Sequence, residues 1–276
     1  FLYQTSTFVH FLPSFFSMRS TFLITLAAIA TAVSAAPALD KRATKAQIIS
    51  TCTVPGTIAL TFDDGPYEYT WALAETLQKA GITATFFMNG NNWVDVNSQS
   101  VKTSAGTKTY KQVIKHVYDS GHQIGSHTYN HVELGDQSAT VVKSEMAKME
   151  TVFRSVLGKN PTYMRPPAGS YSSTTLTTLG GLGYKIILWD IDSNDWRYSE
   201  TSGISKEQAN YKNVIEKDSK TNPHGHIALH HDVYKKTVSE LVPWVTTYIK
   251  GKKNYKFVSV AECLGNTKGS AYKTKK

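Results

Sequence analysis

Seven short runs of β-branched and apolar residues alternate with helical stretches along most of this chain, and that alternation limits what it can fold into more than any other feature. The runs cover residues 57–63, 83–88, 122–127, 162–165, 184–190, 226–231 and 255–260. Helices are expected between them at 70–80 (Thr70 as cap, Gly81 as stop), 110–120, 138–157, 173–180, 206–219 and 237–249. In the 138–157 stretch Val141, Val142, Met146, Met149, Val152 and Phe153 recur at helical spacing, the mark of ordinary core packing. Most of the strands are apolar throughout, so they are buried on both faces, which means parallel βα units. The expected fold is therefore α/β, a distorted or incomplete (β/α) barrel of about seven parallel strands. An open doubly wound sheet is the alternative, and no phosphate-binding glycine signature supports it. Residues 89–109, rich in Asn, Ser and Gly, read as a surface loop. No repeat or linker breaks residues 52–264, so they form one domain.

The first 42 residues read differently. Met18-Arg19 precedes an apolar run from Phe22 to Val33, followed by the small residues Ser34 and Ala35. That is a signal peptide over about 18–35, and the run is too short for a membrane span. Residues 1–17 read as translated leader, and Lys41-Arg42 supplies a dibasic processing site, which leaves a domain of residues 43–276. The formal net charge is +9, with Lys268, Lys273, Lys275 and Lys276 forming a short basic tail. A solvated basic surface accounts for it; attraction to an anionic wall polymer is the other reading, and nucleic acid does not suit a secreted chain.

In the oxidising compartment that a leader implies, the only two cysteines, Cys52 and Cys263, pair as a disulfide. It closes a loop of about 210 residues, which stabilises by roughly 5 kcal/mol on loop entropy.

The ionisable residues fall where the strands end: Asp63-Asp64, His127, Arg165, Asp192 to Asp195 and His231. In βα barrels that rim is where active sites are built. Asp63-Asp64 lies ahead of Gly65-Pro66, so a solvated turn is the plain reading of the pair alone. Neighbours on a strand point to opposite faces, so one carboxylate can ligate a metal while the other takes a proton. His127 and His131, four apart, can face one side; with Asp64 they make two imidazoles and a carboxylate, the donor set of a catalytic rather than structural zinc site.

Five short stretches then carry a resemblance: Thr61-Phe62-Asp63-Asp64-Gly65, His127-Thr128-Tyr129-Asn130-His131, Arg165-Pro166-Pro167, Asp192-Ser193-Asn194-Asp195-Trp196 and Leu229-His230-His231. In this order, across residues 52–264, the chain resembles the polysaccharide deacetylases of the NodB type, carbohydrate esterase family four, and among them the secreted fungal chitin deacetylases. The resemblance implies hydrolysis of N-acetyl groups on chitin or chito-oligosaccharides, with one divalent ion, Zn²⁺ or Co²⁺. It implies Asp63 as general base, Arg165 holding it, Asp64, His127 and His131 as metal ligands, and His231 as general acid oriented by Asp195. Asp192 could share that last role. Trp196 and Leu229 would wall the acetyl pocket. His230 would be structural or a surface residue.

One departure stands out: Ala168 follows Arg-Pro-Pro where the family usually has an aromatic residue. The backbone N–H that would face the oxyanion survives, while aromatic surface is lost, and Tyr171 is the candidate to replace it. Rival readings are an O-acetyl esterase on xylan, a deacetylase of another wall glycan, an inactive glycan-binding wall protein, and a metal-free hydrolase, the last lacking a Gly-x-Ser-x-Gly elbow. With no cysteine-rich binding module or lipid-anchor tail, the chain reads as a freely secreted monomer.

Overall fold

A computed structural model describes residues 44–199 and 203–273. The leader read over residues 1–42 lies outside the described residues, as do Lys275 and Lys276 of the basic tail.

The expected barrel is present. Its strands lie in the order Ile48–Ile49, Lys185–Ile187, Tyr163–Met164, Gln123–Ser126, Thr85–Met88, Thr57–Asp63, Gly225–His231 and Ile191–Asp192. Every neighbouring pair in that order is parallel. Lys256–Phe257 adds in parallel to the start of the central strand, and Thr51–Cys52 pairs antiparallel with Gly225–His226.

Closure is covalent rather than hydrogen-bonded. The expected 184–190 strand stops at Ile187: Lys185–Ile187 pairs on one side of the sheet, and a separate strand just beyond the expected range, Ile191–Asp192, pairs with Gly225–His231 on the other. Residues 188–190 bridge the gap, so the sheet must curl into a nearly closed barrel. The ladder breaks there because the Arg165 guanidinium donates to the carbonyls of Ile187 and Leu188, and the Asp190 carboxylate accepts from Ile227 N.

The period of two then decides what faces where. Ile58, Leu60 and Phe62 pack outward in the large cluster with helix residues such as Leu73, Leu77, Val245 and Ile249. Ala59, Phe87, Ile187 and Ile227 form the barrel interior. The base is plugged by the helix Val260–Cys263, which follows the strand expected over 255–260, observed in shortened form as Lys256–Phe257. Ser259 caps it through a reciprocal box with Glu262, and its first N–H groups donate to Thr85 Oγ1 and Gln123 Oε1. The Cys52–Cys263 disulfide, spanning 211 residues of sequence, ties this plug to the start of the domain.

Other expectations shift in detail. The 89–109 insert contains an antiparallel hairpin, Ser100–Thr103 with Gly106–Thr109. Thr70 opens helix Thr70–Lys79 but does not cap it; Tyr69 is the N-cap, and the Thr70 hydroxyl accepts from Tyr67 N instead. The 237–249 helix begins as a wide turn, Thr237–Leu241, before Val242–Gly251. Pro243 sits at that junction and lacks the N–H that would continue one register. Lys273 is not a free tail residue: it pairs with Asn160 in a short strand and bonds Glu150 Oε1 at 3.0 Å.

Candidate active site

Strand Thr57–Asp63 brings two inward side chains to the rim, Thr61 and Asp63, both buried. Arg165, fully buried just past Tyr163–Met164, donates from Nη1 to Asp63 Oδ1 at 2.8 Å and to Thr61 Oγ1 at 2.7 Å. With the two carbonyls at the barrel gap, all three of its nitrogens are engaged. Its plane is flanked by Phe87, at 4.4 Å, and Trp189, at 5.3 Å. Phe87 fits there because Gly125 has no side chain; a Cβ would come within 2.4 Å of the ring. A guanidinium fixed this fully holds one oxygen of Asp63 in place and leaves the other free.

Asp64 is the next residue, yet its carboxylate points to the same rim. His127 Nε2 lies 3.8 Å from Asp63 Oδ2 and 3.5 Å from Asp64 Oδ1, and His131 Nε2 lies 3.0 Å from Asp64 Oδ1. His127 Nδ1 meets Arg165 O at 2.8 Å, which assigns the proton to Nδ1 and leaves the Nε2 lone pair facing the carboxylates. Ligand atoms of Asp64, His127 and His131 all fall within 4.8 Å of one another. Asp64 Oδ1 is buried without a hydrogen-bond partner despite these neighbours. A buried carboxylate oxygen between two imidazole nitrogens, none of them donating to it, fits a divalent cation. Burial raises the Asp64 carboxyl, but the adjoining His127 and His131 more than reverse this and hold it well below the usual carboxylate range.

The backbone is strained around these groups. Asp64 (φ 76°), Thr128 (φ 66°), His131 (φ 56°), Ala168 (φ 54°) and Asn194 (φ 57°) occupy the left-handed region, and each lies in or beside one of the stretches singled out in the sequence. Each such residue costs about 1–3 kcal/mol and persists only where its surroundings over-determine it.

What determines the His127–His131 loop was not visible in the sequence. Glu145, buried on helix Ala139–Leu157, accepts from Tyr129 N, Asn130 N and Asn130 Nδ2 at 3.1, 2.7 and 2.7 Å. Asn89, also buried, donates to the carbonyls of His127 and Thr128 at 2.5 and 3.0 Å. One signal for Glu145 existed: it is a carboxylate in the apolar stripe of its helix, beside Val142, Met146 and Met149.

Across the rim stands a second acid–base pair. Asp195 is buried and accepts from the side chain of His231 (Nδ1–Oδ1 2.7 Å), His231 N, Thr237 Oγ1 and Trp196 N. Asp192 is spent elsewhere, accepting from Asn194 N at 2.7 Å. Burial opposes a charge on His231, but the contact with Asp195, reinforced by Asp64 and Asp63, pushes its imidazole up to about 10. The strand period explains the neighbouring histidine. His230 faces the helices, fully buried, taking the Tyr211 hydroxyl at Nε2 (2.6 Å) and facing Thr61 O with Nδ1. Burial pulls it down to about 4.

Asp232, which the sequence reading did not single out, lies fully buried under the turn after Asp64. Its Oδ2 accepts from the Thr70 hydroxyl, and Gly65 is needed above it, since a Cβ there would come within 2.4 Å of that oxygen. Burial pushes the Asp232 carboxyl up to about 7.

The remaining expected residues divide. Leu229 is buried on the inward face and Trp196 is 47% exposed. Ala168 is exposed in the Pro167–Gly169 turn. Gly169 N and Ser170 N bond back to Pro166 and Pro167, whereas among the described residues Ala168 N–H has no acceptor. No hydrogen bond or ring contact among the described residues joins Tyr171 to the site. Aromatic surface comes instead from a row of rings that the sequence reading missed. Tyr234 lies 5.7 Å from His231, Trp93 6.2 Å from Tyr234, and Tyr67 5.4 Å from Trp93. Trp93, on the insert, is 47% exposed.

Comparison with known proteins agrees with this geometry. Residues 50–187 match the family model described as polysaccharide deacetylase. A chitin deacetylase of Pestalotiopsis sp is 38% identical over 250 residues, covering 90% of this chain and 78% of that protein. A chitin deacetylase of Colletotrichum lindemuthianum is 36% identical over 249 residues, covering 90% of this chain and 95% of its own length. The solved structure of the chitin deacetylase from Colletotrichum lindemuthianum superposes with a TM-score of 0.75 at 33% identity, covering 83% of this chain and 96% of that one. The family expected from five stretches of sequence is thus found again in overall identity and in fold, and the chain belongs to the polysaccharide deacetylase family.

Proposed function

We propose that the chain hydrolyses the N-acetyl groups of chitin or chito-oligosaccharides, releasing acetate, with a zinc ion held by Asp64, His127 and His131. One observation carries this reading: two separately anchored acid–base pairs, Asp63–Arg165 and Asp195–His231, share one rim with the Asp64–His127–His131 donor set. A divalent ion bound there supplies Lewis acidity, lowering the pKa of water and polarising the acetyl carbonyl.

The chain's own groups do the rest. Asp63 has one oxygen tied to Arg165, so its free oxygen takes the proton of the attacking water. His231 is fixed through Nδ1 to Asp195, which leaves Nε2 to deliver a proton to the departing nitrogen. Ala168 N–H, without an acceptor, donates to the developing oxyanion. Leu229 and Trp196 wall the acetyl methyl, and the Tyr234–Trp93 row offers faces on which further sugar rings stack. The Cys52–Cys263 disulfide supports a secreted enzyme, and no helix among the described residues is long and apolar enough to cross a membrane.

The test is acetate release from chito-oligosaccharides of defined length, with products identified by mass spectrometry. A chelator should abolish turnover and zinc or cobalt restore it. Asp63→Asn should keep the metal and lower kcat about 10²–10⁴-fold with little change in KM. Release from acetylxylan but not from chitin oligomers would overturn the substrate; near-normal turnover by Asp63→Asn would overturn the mechanism.

A further inference from the structure

A cavity of about 370 Å³ opens at the end of the barrel opposite the active-site rim. Gln123 lines it from the first residue of strand Gln123–Ser126, whereas His127 stands just past that strand's other end. Gln123 is 5% exposed, and its Oε1 accepts from Ala261 N at 2.9 Å, which fixes the way its amide faces. Nε2, carrying two donors, is left buried with no partner. Buried donors are ordinarily paired, so the cavity presents a site for an acceptor.

The charge around it is positive. Lys159 Nζ donates to Tyr118 OH at 2.7 Å and lies 4.9 Å over the rings of both Tyr118 and Tyr272. It has no carboxylate partner among the described residues. Lys268 Nζ lies 3.4 Å from Thr83 Oγ1 and 3.9 Å from Glu262. Asp119, the acidic residue in the lining, is matched by Lys115 at 2.6 Å. His122 adds no charge: Nδ1 accepts from Ala84 N, Nε2 faces Ala74 O, and burial holds its imidazole below the ordinary value.

We propose that this basal cavity binds a small oxyanion, whose oxygens take the Nε2–H of Gln123 and the ammonium groups of Lys159 and Lys268, against the apolar wall of Tyr118 and Tyr272. At about 30 Å³ per water in the liquid, the space admits an anion with a body up to monosaccharide size. Carboxylate and phosphate share this chemistry, and three probes separate the sources: acetate, glucuronate and inorganic phosphate.

The experiment is calorimetric titration of each probe into the zinc-loaded full chain, with chloride at equal ionic strength as reference. Gln123→Glu keeps an acceptor for Ala261 N and puts a carboxylate oxygen where Nε2 stands. Lys159→Met removes the ammonium and keeps an apolar stem over the rings. Neither substitution touches the rim, so acetate release checks that the rim is intact, and an anion bound there would be unaffected by both. The expected result is saturable binding of at least one probe, weakened about tenfold or more in each variant. Absence of saturable binding by all three probes overturns the proposal, as does wild-type affinity in either variant.

Discussion

Replacing Glu145 with alanine should disable the proposed metal site without touching any of its proposed ligands, Asp64, His127 and His131. The carboxylate holds the His127–His131 loop through three hydrogen bonds, two of them from backbone N–H groups. Hydrogen bonds to a charged partner contribute about 1.5–3 kcal/mol each and do not add fully, so the loop loses roughly 3 kcal/mol or more. Against this stand two strained residues of the same loop, Thr128 and His131, both at positive φ, at about 1–3 kcal/mol each. What Glu145 supplies is therefore comparable to the strain it opposes, and without it the loop relaxes toward ordinary backbone angles and carries His131 away from Asp64. Loss of a group that orients a ligand typically weakens metal binding about 10–100-fold. Zinc affinity, read by competition against a chelating dye, should fall by that factor in Glu145→Ala. Glu145→Gln keeps one acceptor for the two backbone donors and should lie between. Urea unfolding separates a loosened loop from a lost fold. A folded Glu145→Ala that binds zinc with wild-type affinity would refute the argument.

Three further outcomes are expected. Ala168→Gly should keep turnover within about threefold, since glycine adopts the left-handed conformation freely and retains the N–H, while Ala168→Pro, which has no N–H and a fixed negative φ, should lose about 10²-fold or more in kcat. Trp93→Ala should raise KM for the longer chito-oligosaccharides by up to about tenfold, one aromatic contact, with kcat for the shortest substrate little changed. At the base, His226 is held between Asp190 (2.6 Å) and Asp218 (2.9 Å), with Tyr255 and His224 also on Asp218. Burial lowers the His226 imidazole, but the two carboxylates outweigh it and raise it above 6.5. Its stabilising contribution is then complete below pH 6.5 and is lost as the pH rises through the folded value. The gap in urea midpoint between wild type and His226→Gln should accordingly shrink from pH 6 to pH 9 on the scale of ordinary His titration; a constant gap would show that the imidazolium is not what Asp190 and Asp218 hold.

The parts of this molecule legible in the sequence are those governed by a local period. Apolar runs at strand length located all seven expected strands near their observed places, the last shortened to Lys256–Phe257, and the Leu-x-His stretch of the family resemblance singled out His231 over His230. Groups whose partners come from distant segments were legible only where the cysteine count or the family resemblance supplied the pairing, as for Cys52–Cys263, Asp63–Arg165 and Asp195–His231. Nothing near residues 188–190 says that the ladder stops there; the stop comes from Arg165, more than twenty residues earlier, claiming two carbonyls. The expected last strand stops at Phe257, and a helix follows it because Thr85 and Gln123, from other strands, supply acceptors for the first N–H groups of Val260–Cys263. Asp232 looks like an ordinary surface acid until its burial is known, and Glu145 differs only in standing in the apolar stripe of its helix. The aromatic row needed the insert's packing, since Tyr67, Trp93 and Tyr234 belong to three separate segments.

The Asp63-Asp64 pair shows how these two kinds of information combine. Strict alternation would send adjacent carboxylates to opposite faces, with Asp63 in the barrel and Asp64 among the helices. Both nevertheless lie within 4 Å of His127 Nε2. The alternation ends between them: Asp63 closes the strand, and Asp64 takes a positive φ that turns its side chain back over the rim. That conformation is unfavourable for a residue with a Cβ, and the fold offsets it from below. Gly65 leaves room for Asp232, whose carboxyl bonds Thr70 and anchors helix Thr70–Lys79 beneath the turn. The buried acid next to His231 thus supports the residue that lets two neighbouring carboxylates face one site, Asp64 as the proposed metal ligand and Asp63, held by Arg165, as the proposed base.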